Sequence, residues 1–320
     1  MPEEVSILLS ADKNYARSCA ITILSVLENT SIPNHLHFYI LSPDLDNQSF
    51  TNIKSICERS NSAVSLLVVD INSFQEYQFN QESFNPNKYS RLLGPNLCKQ
   101  CQKILYLDCD LIVIGDIAHL FRYNLQEKVI GAVCQVQFPY QSKFIENFDL
   151  NSQGLYFNSG ILLIDAERWR NNQVTDMIFQ FIKKYGNKFH YNDQDALNAI
   201  FWEDYCELPG VWNVEARLYR EKLLGLPQTP EITKRMANPK IIHYTGADKP
   251  WSSKEYVPCR SLYTYYSHQL AELTGWQPRR SEPKQASITS YLRFAYSCFY
   301  FRASINSKKI LSTFLSKGKV

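Results

Sequence analysis

The sequence lacks any stretch that approaches the roughly 20 consecutive apolar residues a helix needs to cross a bilayer. Its first apolar run, residues 5–9, follows an acidic Met-Pro-Glu-Glu start and is too short for the core of a signal peptide. A disulfide framework is also missing. The nine cysteines are odd in number and scattered, the pattern of free thiols in a reducing compartment. Cys98-Lys-Gln-Cys101 has no second cysteine pair and no histidine pair beside it, so it reads as buried thiols in a helix rather than as a zinc or redox site. There is no internal repeat and no low-complexity segment. These absences predict a cytoplasmic chain. Acidic residues are missing from residues 286–320, which carry six basic ones and leave 28 basic against 31 acidic in the remainder. A net-negative body argues against nucleic-acid binding, and the cationic end points to an anionic surface.

What is present is ample apolar material, 45% of 320 residues with 13% aromatic, enough for a sizeable core. Short apolar runs at residues 5–10, 37–41, 64–69, 103–108, 129–133 and 240–244 read as strands. Residues 157–164 read as an Asn-Ser-Gly turn leading into another strand. Helical spacing marks residues 15–28, 50–60, 89–101, 166–185 and 193–201. The alternation predicts an α/β fold with a mostly parallel sheet, whose ligands gather at the carboxyl ends of the strands. Residues 278–283 look like a linker, which divides a domain at 1–277 from an extension at 278–320.

Two segments carry chemistry. Leu105-Tyr106-Leu107-Asp108-Cys109-Asp110 ends an apolar run in two carboxylates. Side chains alternate along a strand, so both can share one side and offer hard oxygens to Mg²⁺ or Mn²⁺. The plain alternative is a solvated loop. Ile242-His243-Tyr244-Thr245-Gly246-Ala247-Asp248-Lys249-Pro250-Trp251 adds an imidazole suited to be a third ligand. Gly246 allows close backbone approach to a phosphate, and Lys249 supplies a point charge for it.

Five segments occur in order: Ser10-Ala-Asp-Lys-Asn-Tyr15, Lys103-Ile-Leu-Tyr-Leu-Asp-Cys-Asp110, Tyr156-Phe-Asn-Ser-Gly160, Asn192-Asp-Gln-Asp-Ala-Leu-Asn198 and His243-Tyr-Thr-Gly-Ala-Asp-Lys-Pro-Trp251. Together they resemble glycosyltransferase family 8, which includes bacterial lipopolysaccharide and lipooligosaccharide galactosyl- and glucosyltransferases and glycogenin. The resemblance covers roughly residues 5–275. It implies a GT-A type, Rossmann-like mixed sheet flanked by helices, and a UDP-sugar donor with Mn²⁺ or Mg²⁺. By resemblance, Asp12 and Asn14 hydrogen-bond the uracil and Tyr15 stacks on it. Arg91 reaches the donor sugar and diphosphate. Asp108, Asp110 and His243 are the metal ligands, while Gly246 and Lys249 contact the diphosphate. Asn158 and Asp193 bind sugar hydroxyls, and Gln194 faces the anomeric carbon, so that Gln194 and Asp193 are the catalytic pair. Ala11, Cys109, Ser159 and Gln135 complete the implied donor-binding set. As bare sequence, Asp12 and the run 192–195 also read as helix N-caps. Many galactosyltransferases of the family carry an Asp where this chain has Gln135, so the choice between UDP-galactose and UDP-glucose stays open.

The resemblance implies retention of anomeric configuration. No Asp or Glu stands out as a nucleophile, and an amide oxygen such as that of Gln194 is only weakly basic, which favours front-face attack. Residues 288–304 place Ile288, Leu292, Ala295 and Phe299 on one helical side, with Lys308, Lys309, Lys317 and Lys319 following. This predicts a helical, basic and aromatic tail lying on an anionic membrane, at the inner face of the cytoplasmic membrane, near a lipid-linked or oligosaccharide acceptor such as lipopolysaccharide core. Another glycan, protein-linked or a glycogen primer, and a non-catalytic UDP-sugar-binding module are the alternatives.

Overall fold

The structure, a computed structural model, describes residues 4–70, 74, 89–136, 138–252 and 257–278. Ten strands lie among them: β1 (Val5–Ser10), β2 (Leu36–Ser42), β3 (Ala63–Val68), β4 (Lys103–Leu107), β5 (Leu111–Val113), β6 (Ile130–Cys134), β7 (Phe157–Asp165), β8 (Cys206–Glu207), β9 (Val214–Glu215) and β10 (Ile241–His243). Seven of them form one mixed sheet in the order β3-β2-β1-β4-β7-β6-β8. The pairs β1–β2, β2–β3, β1–β4 and β6–β8 are parallel, as the sequence pattern predicts. β7 runs antiparallel to both its neighbours, β4 and β6. A second sheet, β5-β10-β9, sits beside the first.

Side-chain alternation sorts the sheet into two cores. Ile7, Leu9, Phe38, Ile40, Leu105 and Leu107 pack on one face with Ile21 and Ile23 of the helix Ala16–Asn29. Leu8, Tyr39, Leu41, Ile104 and Tyr106 pack on the other with Trp169, Ile178 and Phe179. Burial on both faces explains why the runs in β1 and β4 are continuously apolar.

The structure corrects several expectations. Residues 89–101 are not one helix: a 3₁₀ turn, Ser90–Leu93, gives way to a short helix, Gly94–Leu97. Pro95 has no N–H with which to continue the hydrogen-bond ladder. Cys98 and Cys101 therefore lie beyond a helix rather than in one, both as buried free thiols. The helix expected at 166–185 is two, Ala166–Asn171 and Val174–Tyr185, parted by Gln173 at φ 52°. Asn158-Ser159-Gly160 is not a turn before a strand but part of β7. Asn192, at φ 50°, makes no side-chain cap on the helix Asp193–Ile200. Among the described residues no helix is long and apolar enough to cross a membrane. The tail reading falls on residues outside those described, as does nearly all of the linker.

Candidate active site

The site forms at the carboxyl ends of β1 and β4, which run side by side. β4 stops at Leu107, and the turn to β5 holds Asp108, Cys109 and Asp110. The Cys109 thiol turns away into the core and donates to the Ser10 carbonyl at 3.2 Å, pinning this turn to the end of β1. β7 supplies the opposite wall. Ala132 of β6 pairs with Leu162, yet Val133 pairs with Asn158, so Ser159, Gly160 and Ile161 slip out of register as a bulge. The Asp108 N–H donates to the Gly160 carbonyl at 2.8 Å, which clamps the bulge to the carboxylate turn. A Cβ on Gly160 would lie 2.2 Å from His243 Cε1 and 2.6 Å from Asp108 Oδ2, so glycine is what leaves room for both.

His243 ends β10, paired with Leu111 of β5, and the Tyr244 N–H donates to the Asp110 carbonyl at 2.9 Å. One ligand atom from each of Asp108, Asp110 and His243 falls within 4.8 Å of the others. His243 Nε2 is 3.1 Å from Asp110 Oδ1 and 3.7 Å from Asp108 Oδ2. Lys249 pairs with Asp110 Oδ2. Burial alone would raise Asp110, but the charges of His243 and Lys249 outweigh it and hold the carboxyl well below its usual range. Burial would lower His243 and Lys249, and the Asp110 carboxylate overrides it in both, raising each above its ordinary value. Gly246 takes φ 79°, with open space where a side chain would stand.

Arg91, expected by resemblance to reach the donor sugar and diphosphate, lies against the carboxylate turn, its side chain 11% exposed. Its buried guanidinium donates to Asp108 Oδ1 at 3.2 Å and to the carbonyl and hydroxyl of Ser159 at 3.0 and 2.8 Å, and it pairs with Asp193. It also lies over the Tyr106 ring, 5.1 Å from the centroid. Burial pushes Asp193 up despite Arg91. Gln194 Oε1 accepts from the N–H and hydroxyl of Ser159 at 3.0 and 3.2 Å, and its Nε2 donates to the Tyr156 hydroxyl at 3.2 Å. Asp195, next along, accepts from the N–H groups of His190 and Tyr191, so the acid inside the first turn ties down the chain that enters the helix.

At the other end Asp12 Oδ1 accepts from the N–H groups of Asn14 and Tyr15, both at 2.9 Å, shaping the turn into the helix Ala16–Asn29. The buried Ala11 donates its N–H to the Leu41 carbonyl at 3.0 Å. Tyr15 is 37% exposed and meets Trp251 edge-on with centroids 5.6 Å apart. Burial pushes its hydroxyl up, against the charge of Lys249 and with that of Asp110.

The family model for glycosyl transferase family 8 matches residues 6–255. The chain belongs to glycosyltransferase family 8. General stress protein A of Bacillus subtilis is 29% identical over 273 residues, covering 82% of this chain and 93% of that protein. Lipopolysaccharide 1,2-glucosyltransferase of Escherichia coli K12 is 27% identical over 265 residues, covering 82% of this chain and 77% of that one. The fold matches the galactosyltransferase LgtC solved with donor and acceptor sugar analogs, at TM-score 0.70 and 21% identity, across 90% of this chain and 100% of that one. The GT-A architecture predicted from the resemblance is therefore the architecture observed.

This family 8 chain has a cleft of about 320 Å³ beside the carboxylate turn. Of the residues anticipated from sequence, Asp108, Asp110, Gln135, Asn158, Gln194, His243 and Gly246 line it. Arg91, Ser159, Asp193 and Lys249 stand behind them through the contacts above. Sequence reading missed Asn213, Glu215, Arg217 and Thr245. Glu215 is buried and accepts from Gln135 Nε2 at 3.1 Å, from Arg217 Nε at 2.8 Å and Nη2 at 3.0 Å, and from Thr245 Oγ1 at 3.0 Å. Burial would raise Glu215, and Arg217 above all holds it below its ordinary value. Thr245 lay within the quoted 243–251 segment without a role assigned to it, and the signal for Asn213 and Glu215 was Asn213-Val214-Glu215 itself, a polar–apolar–polar triplet too short to read as a strand.

Proposed function

We propose that the protein is a retaining hexosyltransferase that moves galactose or glucose from a UDP-sugar to a glycan acceptor, assisted by Mn²⁺ or Mg²⁺. The convergence of Asp108, Asp110 and His243 within 4.8 Å, with Lys249 on Asp110, carries this reading. Two carboxylates and one imidazole are a donor set that Mn²⁺ accepts. Asp108 would offer Oδ2, because Oδ1 already receives the Tyr106 hydroxyl and Arg91. When bound, the ion would neutralise the charge that develops on the diphosphate leaving group.

The chain's own residues would do the remainder. Asp12 and Asn14 would hold the uracil edge and Tyr15 its face. The Gly246 backbone and Lys249 would meet the diphosphate. Arg91, Ser159 and Asp193 would fix the sugar side of the pocket, with Asn158 and Gln135 reading hydroxyls. The bond from the anomeric carbon to the phosphate oxygen breaks as the acceptor oxygen bonds to that carbon from the same face. The acceptor proton passes to the departing phosphate oxygen. Gln194 would stabilise the electron-poor carbon without attacking it, since Ser159 already engages its carbonyl oxygen.

For the acceptor we favour a lipopolysaccharide-type core oligosaccharide, a reading supported by two relatives that carry lipopolysaccharide in their names. The basic, aromatic residues 286–320 would then keep the enzyme on the inner face of the cytoplasmic membrane. UDP release from UDP-glucose and UDP-galactose, with and without Mn²⁺, tests the enzyme reading, and a panel of truncated core oligosaccharides tests the acceptor. Release from neither donor would overturn the first; an inverted product anomer by NMR would overturn retention.

A further inference from the structure

We propose that Asn213 positions two groups of the site at once: the metal-facing nitrogen of His243 and the sugar-facing amide of Asn158. This rests on the reading of Asp108, Asp110 and His243 as a metal site. Asn213 lies just before β9, beneath the cleft, and is buried.

The direction of each hydrogen bond from Gly160 through Asn158 and Asn213 to His243 Nδ1 follows from one atom whose role is fixed. The Gly160 backbone N–H can only donate, and it lies 3.0 Å from the Asn158 side chain, so the Asn158 atom it meets is Oδ1. The Asn213 amide reaches that same oxygen at 2.8 Å. Asn213 must therefore present its Nδ2 there and turn its Oδ1 the other way. That Oδ1 is 2.9 Å from His243 Nδ1. An amide oxygen only accepts, so Nδ1 carries the proton. The nitrogen left to give up its proton and bind an ion is therefore Nε2, which otherwise donates to Asp110 Oδ1 at 3.1 Å and lies 3.7 Å from Asp108 Oδ2. A backbone amide in the β7 bulge thus sets the tautomer of a histidine on β10, through two side-chain amides.

The same chain settles the free end of Asn158. Its Oδ1 is taken twice, so its Nδ2 is the atom left for the cleft that Asn158 lines. That end can only donate, which suits a lone pair on a sugar hydroxyl. Asn213 would touch neither ion nor sugar. Its effect would pass through the two residues it orients, which makes it a positioning residue shared by metal and donor.

Asn213→Leu and Asn213→Asp in the full chain separate the two arms. Mn²⁺ affinity is measured by EPR titration of the protein alone, and UDP-sugar KM and kcat at saturating Mn²⁺. Asn213→Leu should weaken Mn²⁺ binding by about 10- to 100-fold, the usual effect of losing a histidine's outer partner. It should also raise donor KM by roughly 5- to 10-fold, the loss of one hydrogen bond. Asn213→Asp keeps an acceptor for Nδ1–H and should hold Mn²⁺ affinity within about threefold of the parent. Its second oxygen would face Asn158 Oδ1, so donor KM should still rise. A residue that merely supports packing would not give that split, and if the Leu variant does not fold, the near-isosteric Asp variant carries the test. Parental Mn²⁺ affinity in a folded Asn213→Leu, or an Asp variant without the split, overturns the relay and leaves the metal reading standing. A parent that binds no Mn²⁺ overturns the metal reading and the relay with it.

Discussion

Lys249 rests on Oδ2 of Asp110 while His243 Nε2 stands 3.1 Å from Oδ1 of the same carboxylate. One acidic side chain thus joins two cations supplied from 133 and 139 residues further along the chain. Lys249 also donates to the Tyr244 carbonyl at 2.7 Å, so its ammonium is held at the mouth where a diphosphate would arrive. Asp110→Asn removes the charge that holds both. UDP release with Mn²⁺ should fall by about 100- to 1,000-fold, the scale of losing one electrostatic contact to a developing charge. Unchanged release would refute the metal site.

Gln194→Ala is expected to lower kcat by about 100-fold with little change in donor KM, since its proposed role is to face the reacting carbon. The variant also strips an acceptor from the N–H and hydroxyl of Ser159, so a melting curve must accompany the kinetics. Retention of most of the turnover would remove Gln194 from the chemistry.

The carboxylate turn and His243 were legible because each ends an apolar run, and an apolar run that stops at acids or a histidine is visible locally. Arg91 was not legible as a buried group, since its neighbours Asp108, Ser159 and Asp193 come from three distant segments. The antiparallel course of β7 and its slip beside Asn158 leave no mark on periodicity: a bulge changes pairing, not composition. Asn213 and Glu215 flank a single valine in a two-residue strand, too short for alternation to register. What the sequence could not carry was thus the layer beneath the ligands, where each residue's role is set by partners from elsewhere in the chain.

Glu215 gives the fold a pH dependence. Its carboxyl sits below the ordinary 4.5 because Arg217 outweighs its burial. A depressed carboxyl contributes its full stability above the unfolded value and loses it as pH falls through the lower folded one. The gap in unfolding free energy between the parent and Glu215→Gln should therefore be largest near neutrality and shrink below about pH 4.5. Denaturant titrations at pH 7 and pH 4 measure this, and a gap that widens on acidification would contradict the assignment.

Deletion of residues 278–320 tests the tail. The truncated protein should lose binding to anionic vesicles and keep its activity on a soluble acceptor, because every site residue lies before residue 278. Co-sedimentation with vesicles of phosphatidylglycerol measures the first, and equal sedimentation of both forms would rule out the membrane role.

Gln135, proposed above to read the donor's hydroxyls, donates to Glu215 at 3.1 Å. Where many galactosyltransferases of the family place an Asp, this chain has Gln135, and a carboxylate stands one hydrogen bond behind it, in Glu215. Gln135→Glu should therefore be costly, because two buried carboxylates would face each other at the 3.1 Å contact where an amide now donates. Adding Glu215→Gln exchanges the two groups and restores a donor–acceptor pair with the charge now on residue 135. The double variant should recover stability and donor binding that the single variant loses, with a coupling of about 0.5–3 kcal/mol in a thermal or denaturant cycle. It should also change the ratio of kcat/KM for UDP-galactose over UDP-glucose, since a charged acceptor replaces a neutral amide at the sugar. Strictly additive losses would show that the pair does not act as a unit, and a donor ratio identical to the parent's would move the reading of the hexose away from Gln135.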